Sequence, residues 1–246
     1  MSPTIDDQPA EELPDVRAGR LPARYGYRMQ DVFLERLRPL LVPGVTILDL
    51  GAGRSPTLAP SDRPVDSRYL GLDISAAELV AAGPDAYSYT YVHDIVAPLP
   101  ELRDIDVIIS WQVLEHVASL PRALDNLKAM LRPGGTLLAQ VSGTFAAFAL
   151  AARVVPHQLR VRALSSVLGH DAELKFPTRY HRCNARAISR VMSTWESSEI
   201  VPFFRGAPYF SFSRPLQRLY LGYENFIASR GWNSLATHYL IVARAP

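Results

Sequence analysis

One cysteine in 246 residues, Cys183, leaves no partner for an intrachain disulfide, which excludes the small secreted scaffolds that depend on such bridges. Long apolar runs are equally scarce. The longest, Phe145 to Ala152, falls far short of the roughly 20 residues that a membrane-spanning helix requires. The opening residues MSPTIDDQPAEELPD carry acids where a secretion leader has a basic segment followed by an apolar stretch. A soluble, cytoplasmic chain without a transmembrane segment is therefore expected. Lysine is nearly missing too: Lys128 and Lys175 are the only two, so arginine supplies almost all the positive charge.

What is present suits a folded domain. Hydrophobic residues make up 48% of the chain and charged ones 20%, and a chain of this length buries roughly 70 to 75% of its unfolded surface. The net charge of +2 hides an asymmetry: the chain up to Ser142 carries −6, the remainder +8. A basic C-terminal part would attract an anionic substrate, an acidic lipid surface or RNA; the plainer reading is a solvated, arginine-rich surface.

Residues 1–24, with four prolines and no hydrophobic period, read as a flexible lead-in to a single domain over 25–246. Tyr25 to Leu41 has helical spacing and stops at Pro43-Gly44. Apolar runs then alternate with helical stretches, the mark of a parallel sheet flanked by helices. Strands are expected at Thr46–Leu50, Tyr69–Leu72, Tyr87–Val92, Val107–Ser110 and Thr136–Val141, and helices near Thr57, at Ala76–Ala82 and at Leu120–Leu131. Arg132-Pro133-Gly134-Gly135 reads as a turn. After Ser142 an insertion over about 143–184, containing a helical candidate Phe145–Val155, is longer than a connection needs and suits a lid or substrate wall. A helix Ala185–Trp195 and strands at Glu199–Phe204 and in THYLIVAR complete a seven-stranded, mostly parallel, doubly wound α/β sheet.

Gly51 and Gly53, in ILDLGAGRSP, follow a buried strand where a ligand could approach the backbone closely. Asp49 ends the first strand, Asp73 the second (YLGLDIS) and Asp94 follows the third (YVHDI), all at the carboxyl edge where open α/β sheets bind ligands. For Asp49 and Asp94 capping of a turn or helix is the plainer alternative. Pro56 stands where a dinucleotide fingerprint wants its third glycine, which argues against a nicotinamide oxidoreductase; Ser55-Pro56 reads as a helix N-cap followed by proline.

ILDLGAGRSP, GLDIS, HDI, IDVIISWQVLEHV and LRPGGTLLAQV, in this order, resemble the motifs of class I S-adenosylmethionine-dependent methyltransferases, in particular the group with VLEHV after strand four. The resemblance covers Tyr25 to Val141; FPTRYHRCNARAISR and ATHYLIVARAP are similar to bacterial members more loosely. It implies a Rossmann-like fold with S-adenosylmethionine as cofactor and S-adenosylhomocysteine as product. It further implies that Gly51 and Gly53 make room for the methionine part and that Asp73 holds the ribose hydroxyls, as an ionised carboxylate can. Asp94 would face the adenine amino group, Ile74 and Ile95 the ring, and Ser110, Trp111 and Gln112 the methyl end. Ser55 departs from the motif's usual third glycine. The Asn/Asp-Pro-Pro-Tyr motif of base-nitrogen methyltransferases is missing, since strand four ends in Ser110-Trp111-Gln112-Val113.

Methyl transfer from a sulfonium needs positioning above all, and a base only where the acceptor is a weak nucleophile such as an alcohol. His116, beside Glu115, and His181, in the lid segment, are the candidate bases; His116 has the alternative of merely closing the cofactor pocket. His157 and His170 fall in the basic insertion, where they could meet a phosphate; solvated histidines are the commoner case. Relatives that bind a divalent ion carry Glu-x-x-Glu-His; Gln112 replaces the first glutamate here, which removes an anionic ligand, and no metal is expected. The expected activity is methylation of an oxygen, hydroxyl or carboxylate, of a small molecule such as a sugar, lipid or secondary metabolite. An anionic or lipid-linked acceptor and peripheral membrane contact remain open. Alternatives are an RNA ribose methyltransferase using the basic half and a non-catalytic cofactor-binding protein.

Overall fold

The computed structural model describes residues 21–144, 182–211 and 213–246. Seven strands form one sheet: β1 Thr46–Leu50, β2 Arg68–Asp73, β3 Tyr89–Val92, β4 Ile105–Trp111, β5 Leu131–Ser142, β6 Ser197–Phe203 and β7 His238–Arg244. Their order is β3-β2-β1-β4-β5-β7-β6. β1 to β5 are parallel; β7 runs antiparallel to both β5 and β6. The order reverses between β1 and β4, which opens a crevice at the carboxyl edge there.

The central strands are apolar runs because both faces of the sheet are covered. Leu48, Leu50, Ile108, Leu137, Ala139 and Tyr239 point into one core. This core is roofed by α3 (Leu120–Met130) and α4 (Ala185–Met192). Val45, Ile47, Val107, Ile109, Leu138 and Leu240 point the other way, beneath α1 (Met29–Leu37) and α2 (Ala76–Ala81). Met29, Phe33 and Leu37, four apart on α1, supply its buried stripe. A last helix, α5 (Arg214–Ser229), packs Tyr220 and Leu221 with Leu21 and Tyr25.

The helix expected near Thr57 is not formed. Residues 51–59 run as turns and bends, followed by a single 3-10 turn at Pro60–Asp62. Ser55 consequently caps no helix, because Pro60 and Pro64 forbid the hydrogen bonds a helix there needs. The expected helix Tyr25–Leu41 is α1 with 3-10 turns at Ala23–Tyr25 and Arg38–Leu40. Arg132 to Gly135 lies within β5, where the pairing with β4 shifts register between Ile105 and Val107. α5, for which the sequence analysis expects no helix, is a 16-residue helix with proline in its first turn. Leu21 and Arg24, assigned there to the lead-in, pack: Leu21 is buried and Arg24 Nε donates to the Phe204 carbonyl at 2.7 Å. The helical candidate Phe145–Val155, most of the lid insertion, His157, His170 and His181 lie outside the described residues.

Candidate active site

The crevice begins with the loop after β1. Gly51 has φ +72°, and a side chain there would put its Cβ 2.1 Å from Val113 Cγ2, so only glycine lets this loop close on the segment after β4. Gly53, at φ +49°, sits beside Asp73: a Cβ would lie 3.6 Å from Asp73 Oδ2. From below, the Tyr87 hydroxyl donates to the carbonyls of Ala52 (3.0 Å) and Gly53 (3.1 Å). Arg54 pairs with Glu78 of α2 at 2.6 Å, tying the loop's outer side down.

Asp49 lies under this loop and is fully enclosed. Its carboxylate accepts Thr57 N–H (2.7 Å), Thr57 Oγ1–H (2.8 Å) and Tyr69 O–H (2.6 Å). Burial pushes its pKa up to about 6 despite these three donors. The sequence leaves two readings open for Asp49, a cofactor contact and the cap of a turn, and these three bonds are those of the second. With no solvent-facing surface and three protein donors it is the anchor that replaces the missing helix, holding residues 51–58 over the sheet edge.

Asp73 is on the same face of the sheet, because Asp49 pairs with Gly71 and Asp73 follows two residues later. Its Oδ1 accepts Ser75 N–H at 2.8 Å. Burial raises its pKa, opposed by the amides of Ser75, Gly53 and Ile74. Ile74 beside it is 58% exposed, an apolar side chain held in the open. One strand further out, Asp94 is exposed and its Oδ1 accepts Val96 N–H at 3.0 Å, a local turn contact. Ile95, by contrast, is buried in the α3-side core and so is not available to pack on a bound ring.

On the other flank of the loop, Ser110 is fully buried. Trp111 meets Phe33 edge to face, ring centroids 5.2 Å apart. Gln112 is exposed in the left-handed region, φ +56°, a conformation that non-glycine residues rarely hold. It turns the chain sharply off β4, and the next residues fold back so that His116 N–H donates to Val113 O at 2.9 Å. Glu115 points inward, accepting Ser142 N–H at 3.2 Å and linking the ends of β4 and β5. Burial pushes its pKa up to about 7. Cys183, buried near Glu115, is pushed up to about 12 by burial and then by that carboxyl. Tyr69 and Tyr87 were not singled out from sequence as site-builders; a tyrosine in or flanking a strand gives no sign of which carboxylate or carbonyl its hydroxyl will reach.

The structure thus gathers Gly51, Gly53, Asp73, Ile74, Asp94, Trp111 and Gln112 along the consecutive carboxyl ends of β3, β2, β1 and β4. Residues 23–193 match the family model of a methyltransferase domain. Among curated proteins, the ubiquinone biosynthesis O-methyltransferase of Nitrobacter winogradskyi is 31% identical over 122 residues, 48% of this chain and 46% of that protein. That of Maricaulis maris is 30% identical over 142 residues, 53% of this chain and 54% of that protein. The chain thus matches about half the length of these curated relatives. Among solved structures, phosphoethanolamine N-methyltransferase 2 of Haemonchus contortus, in complex with phosphomonomethylethanolamine and S-adenosylhomocysteine, superposes with a TM-score of 0.55 at 16% identity. It covers 88% of this chain and 52% of that one. The CurJ carbon methyltransferase gives 0.50 at 21% identity, over 93% and 57% of the two chains. The chain belongs to the methyltransferase-domain family and has the seven-stranded Rossmann-like fold of class I S-adenosylmethionine-dependent methyltransferases.

Proposed function

We propose that this chain transfers the methyl group of S-adenosylmethionine to an oxygen of a small-molecule acceptor. The observation that carries the reading is the pairing of Asp73 with the glycine loop: a carboxylate at the end of β2 with the backbone of Gly53 beside it and no side chain between them. That arrangement fits a ribose, whose two hydroxyls donate to one carboxylate. Ile74 lies open beside it for an apolar ring face, and Asp94 for an exocyclic amine. Gly51 and Gly53 leave the backbone approachable for the methionine part, and Trp111 and Gln112 border the reacting end. The cofactor supplies an electrophilic methyl on a sulfonium, a good leaving group.

The chain's own residues then have two tasks. They hold the acceptor oxygen in line with the methyl group, and they receive the proton an alcohol loses. His116, on the turn after Gln112, is the described candidate for the proton; Glu115 is turned away toward Ser142. The choice of oxygen rests on the relatives named as O-methyltransferases. Calorimetric titration with S-adenosylmethionine and S-adenosylhomocysteine, with NAD as control, tests the cofactor, and a methyl-release screen over phenols, sugars and carboxylic acids tests the acceptor. Micromolar binding of the first two and none of NAD is expected. No binding of either overturns the reading.

Peripheral membrane contact belongs to the same proposal. Leu216, Leu219, Tyr223 and Phe226 form an exposed stripe along α5, spaced by three, four and three residues. Trp232 extends it, edge to face with Phe226. Arg214, Arg218 and Arg230 are exposed around it, and the helix's one acid, Glu224, is buried. An apolar stripe rimmed by arginines suits an anionic lipid surface. Sedimentation with vesicles containing phosphatidylglycerol should retain the chain, and Leu219→Glu with Phe226→Glu should release it.

A further inference from the structure

A row of polar side chains continues the crevice beyond the cofactor's end. It runs through Trp111 at the end of β4, Gln140 on β5, His238 at the start of β7 and Arg205 just past β6. These strands are consecutive in the sheet. All four side chains fall on the α1 face: Gln140 and His238 stand two residues from Leu138 and Leu240 and so share their face, and Arg205 stands in the same phase as Val201 and Phe203. Because α1 runs back toward the start of β1, its N-terminal end and the preceding Tyr25 and Tyr27 lie over the same edge.

Two of these groups, Gln140 and Arg205, are buried with polar atoms left unsatisfied. Gln140 is 1% exposed, and neither its Oε1 nor its Nε2 has a hydrogen-bond partner. Arg205 is 8% exposed, and its Nη1 has none either. The guanidinium lies over the rings of Tyr25 (5.7 Å) and Tyr27 (5.4 Å), which fix its plane without neutralising it. No carboxylate among the described residues pairs with it. Glu224, the acid nearest in the network, is already engaged by Arg24 at 3.3 Å, by Gly206 N–H at 2.6 Å and by the Tyr25 hydroxyl. His238 is held neutral, its pKa pushed down to about 4 by burial and by Arg205, so it adds no second positive charge and cannot neutralise the guanidinium. A buried guanidinium without a counter-charge is a costly arrangement in a core, and native structures keep such groups paired.

We propose that Arg205, with Gln140 two strands away on the same face of the sheet, binds an anionic group, a carboxylate or a phosphate, of the methyl acceptor. The proposal rests on the methyltransferase reading and adds the acceptor's charge to it. The arginine fork presents two parallel donors matched to either oxyanion, and the Gln140 amide supplies one donor and one acceptor for a neighbouring hydroxyl or carbonyl. The backbone at Arg205 lies three strand spacings from β4, about 14 Å. The anion is therefore held away from the reacting oxygen, at the far end of the acceptor. Binding of that kind acts equally on ground state and transition state, so its loss raises KM and leaves kcat nearly unchanged.

The test uses the full chain loaded with S-adenosylhomocysteine, titrated calorimetrically with benzoate, phenyl phosphate and neutral benzyl alcohol. At least one anion should bind at least tenfold more tightly than the alcohol, and which one separates a carboxylate site from a phosphate site. Arg205→Met should erase that preference, leaving benzyl alcohol and S-adenosylhomocysteine affinities within twofold of wild type. Arg205→Lys, which keeps the charge and loses the fork, should retain part of it and serves where the methionine variant does not fold. Equal binding of anions and alcohol by a wild-type chain that binds S-adenosylhomocysteine overturns the anion site alone. Undiminished anion preference in a folded Arg205 variant overturns it too. Failure to bind S-adenosylhomocysteine at the outset is the separate failure of the methyltransferase reading.

Discussion

Replacing Gly51 by alanine tests the geometry that closes the crevice. The left-handed backbone, at φ +72°, costs an L-residue about 1 to 2 kcal/mol. A Cβ 2.1 Å from Val113 Cγ2 must also displace that valine or lift the loop, and overpacking of this kind costs about 1 to 3 kcal/mol. Gly51→Ala should thus lose about 2 to 5 kcal/mol, a fall of about 4 to 20 °C in Tm for a chain of this size. Urea unfolding of the single variants and of the double variant with Val113→Ala separates the two causes. Removing both valine methyls relieves the overlap and leaves the backbone cost, so the pair should couple favourably by about 1 to 3 kcal/mol. A Gly51→Ala protein within 0.5 kcal/mol of wild type, or additive single effects, would refute the contact between the loop and the segment after β4.

Asp73→Ala should weaken S-adenosylhomocysteine binding by about 1 to 3 kcal/mol through the lost hydroxyl contacts; unchanged affinity by calorimetry sinks the ribose assignment. Glu115 should make stability depend on pH. Its folded pKa, about 7, lies above the ordinary value of 4.5, so its contribution is fully present below about pH 4.5 and is lost as pH rises through 7, by about 3 kcal/mol. Glu115→Gln should accordingly gain on wild type between pH 5 and 8 in urea unfolding, and a constant gap between the two would contradict the burial argument. Asp49, raised to about 6, has the same sign over a lower window, and Asp49→Asn should gain on wild type between pH 4 and 7. His116→Ala should lower kcat on the methyl acceptor and leave S-adenosylhomocysteine affinity nearly intact; full turnover removes it as the proton acceptor.

The strands around the crevice were legible because a parallel sheet covered on both faces demands unbroken apolar runs, and TILDL and DVIIS are such runs. The placement of Gly51 and Asp73 at the carboxyl edge was legible because it is set by position along the chain, at or just past the end of a strand. Asp49 sits at an equivalent position and has a different task. The difference comes from Thr57 and Tyr69, eight and twenty residues away in sequence, whose donors converge on its carboxylate. α5 was missed because its rings and Gly222 blur the helical period, although Pro215 in its first turn marked the start.

The sequence by itself determined the succession of the strands, the placement of the glycine loop, and which acids stand at the carboxyl edge, because these follow from apolar period, breakers and local spacing. Tertiary structure alone decided which of those acids faces outward and which is sealed beneath the loop. It also decided that Gln140, His238 and Arg205, from three separate strands or strand ends, lie in one row. Burial and pairing depend on contacts between residues as far apart as Arg24 and Glu224, 200 positions in sequence, and a local pattern carries no record of them.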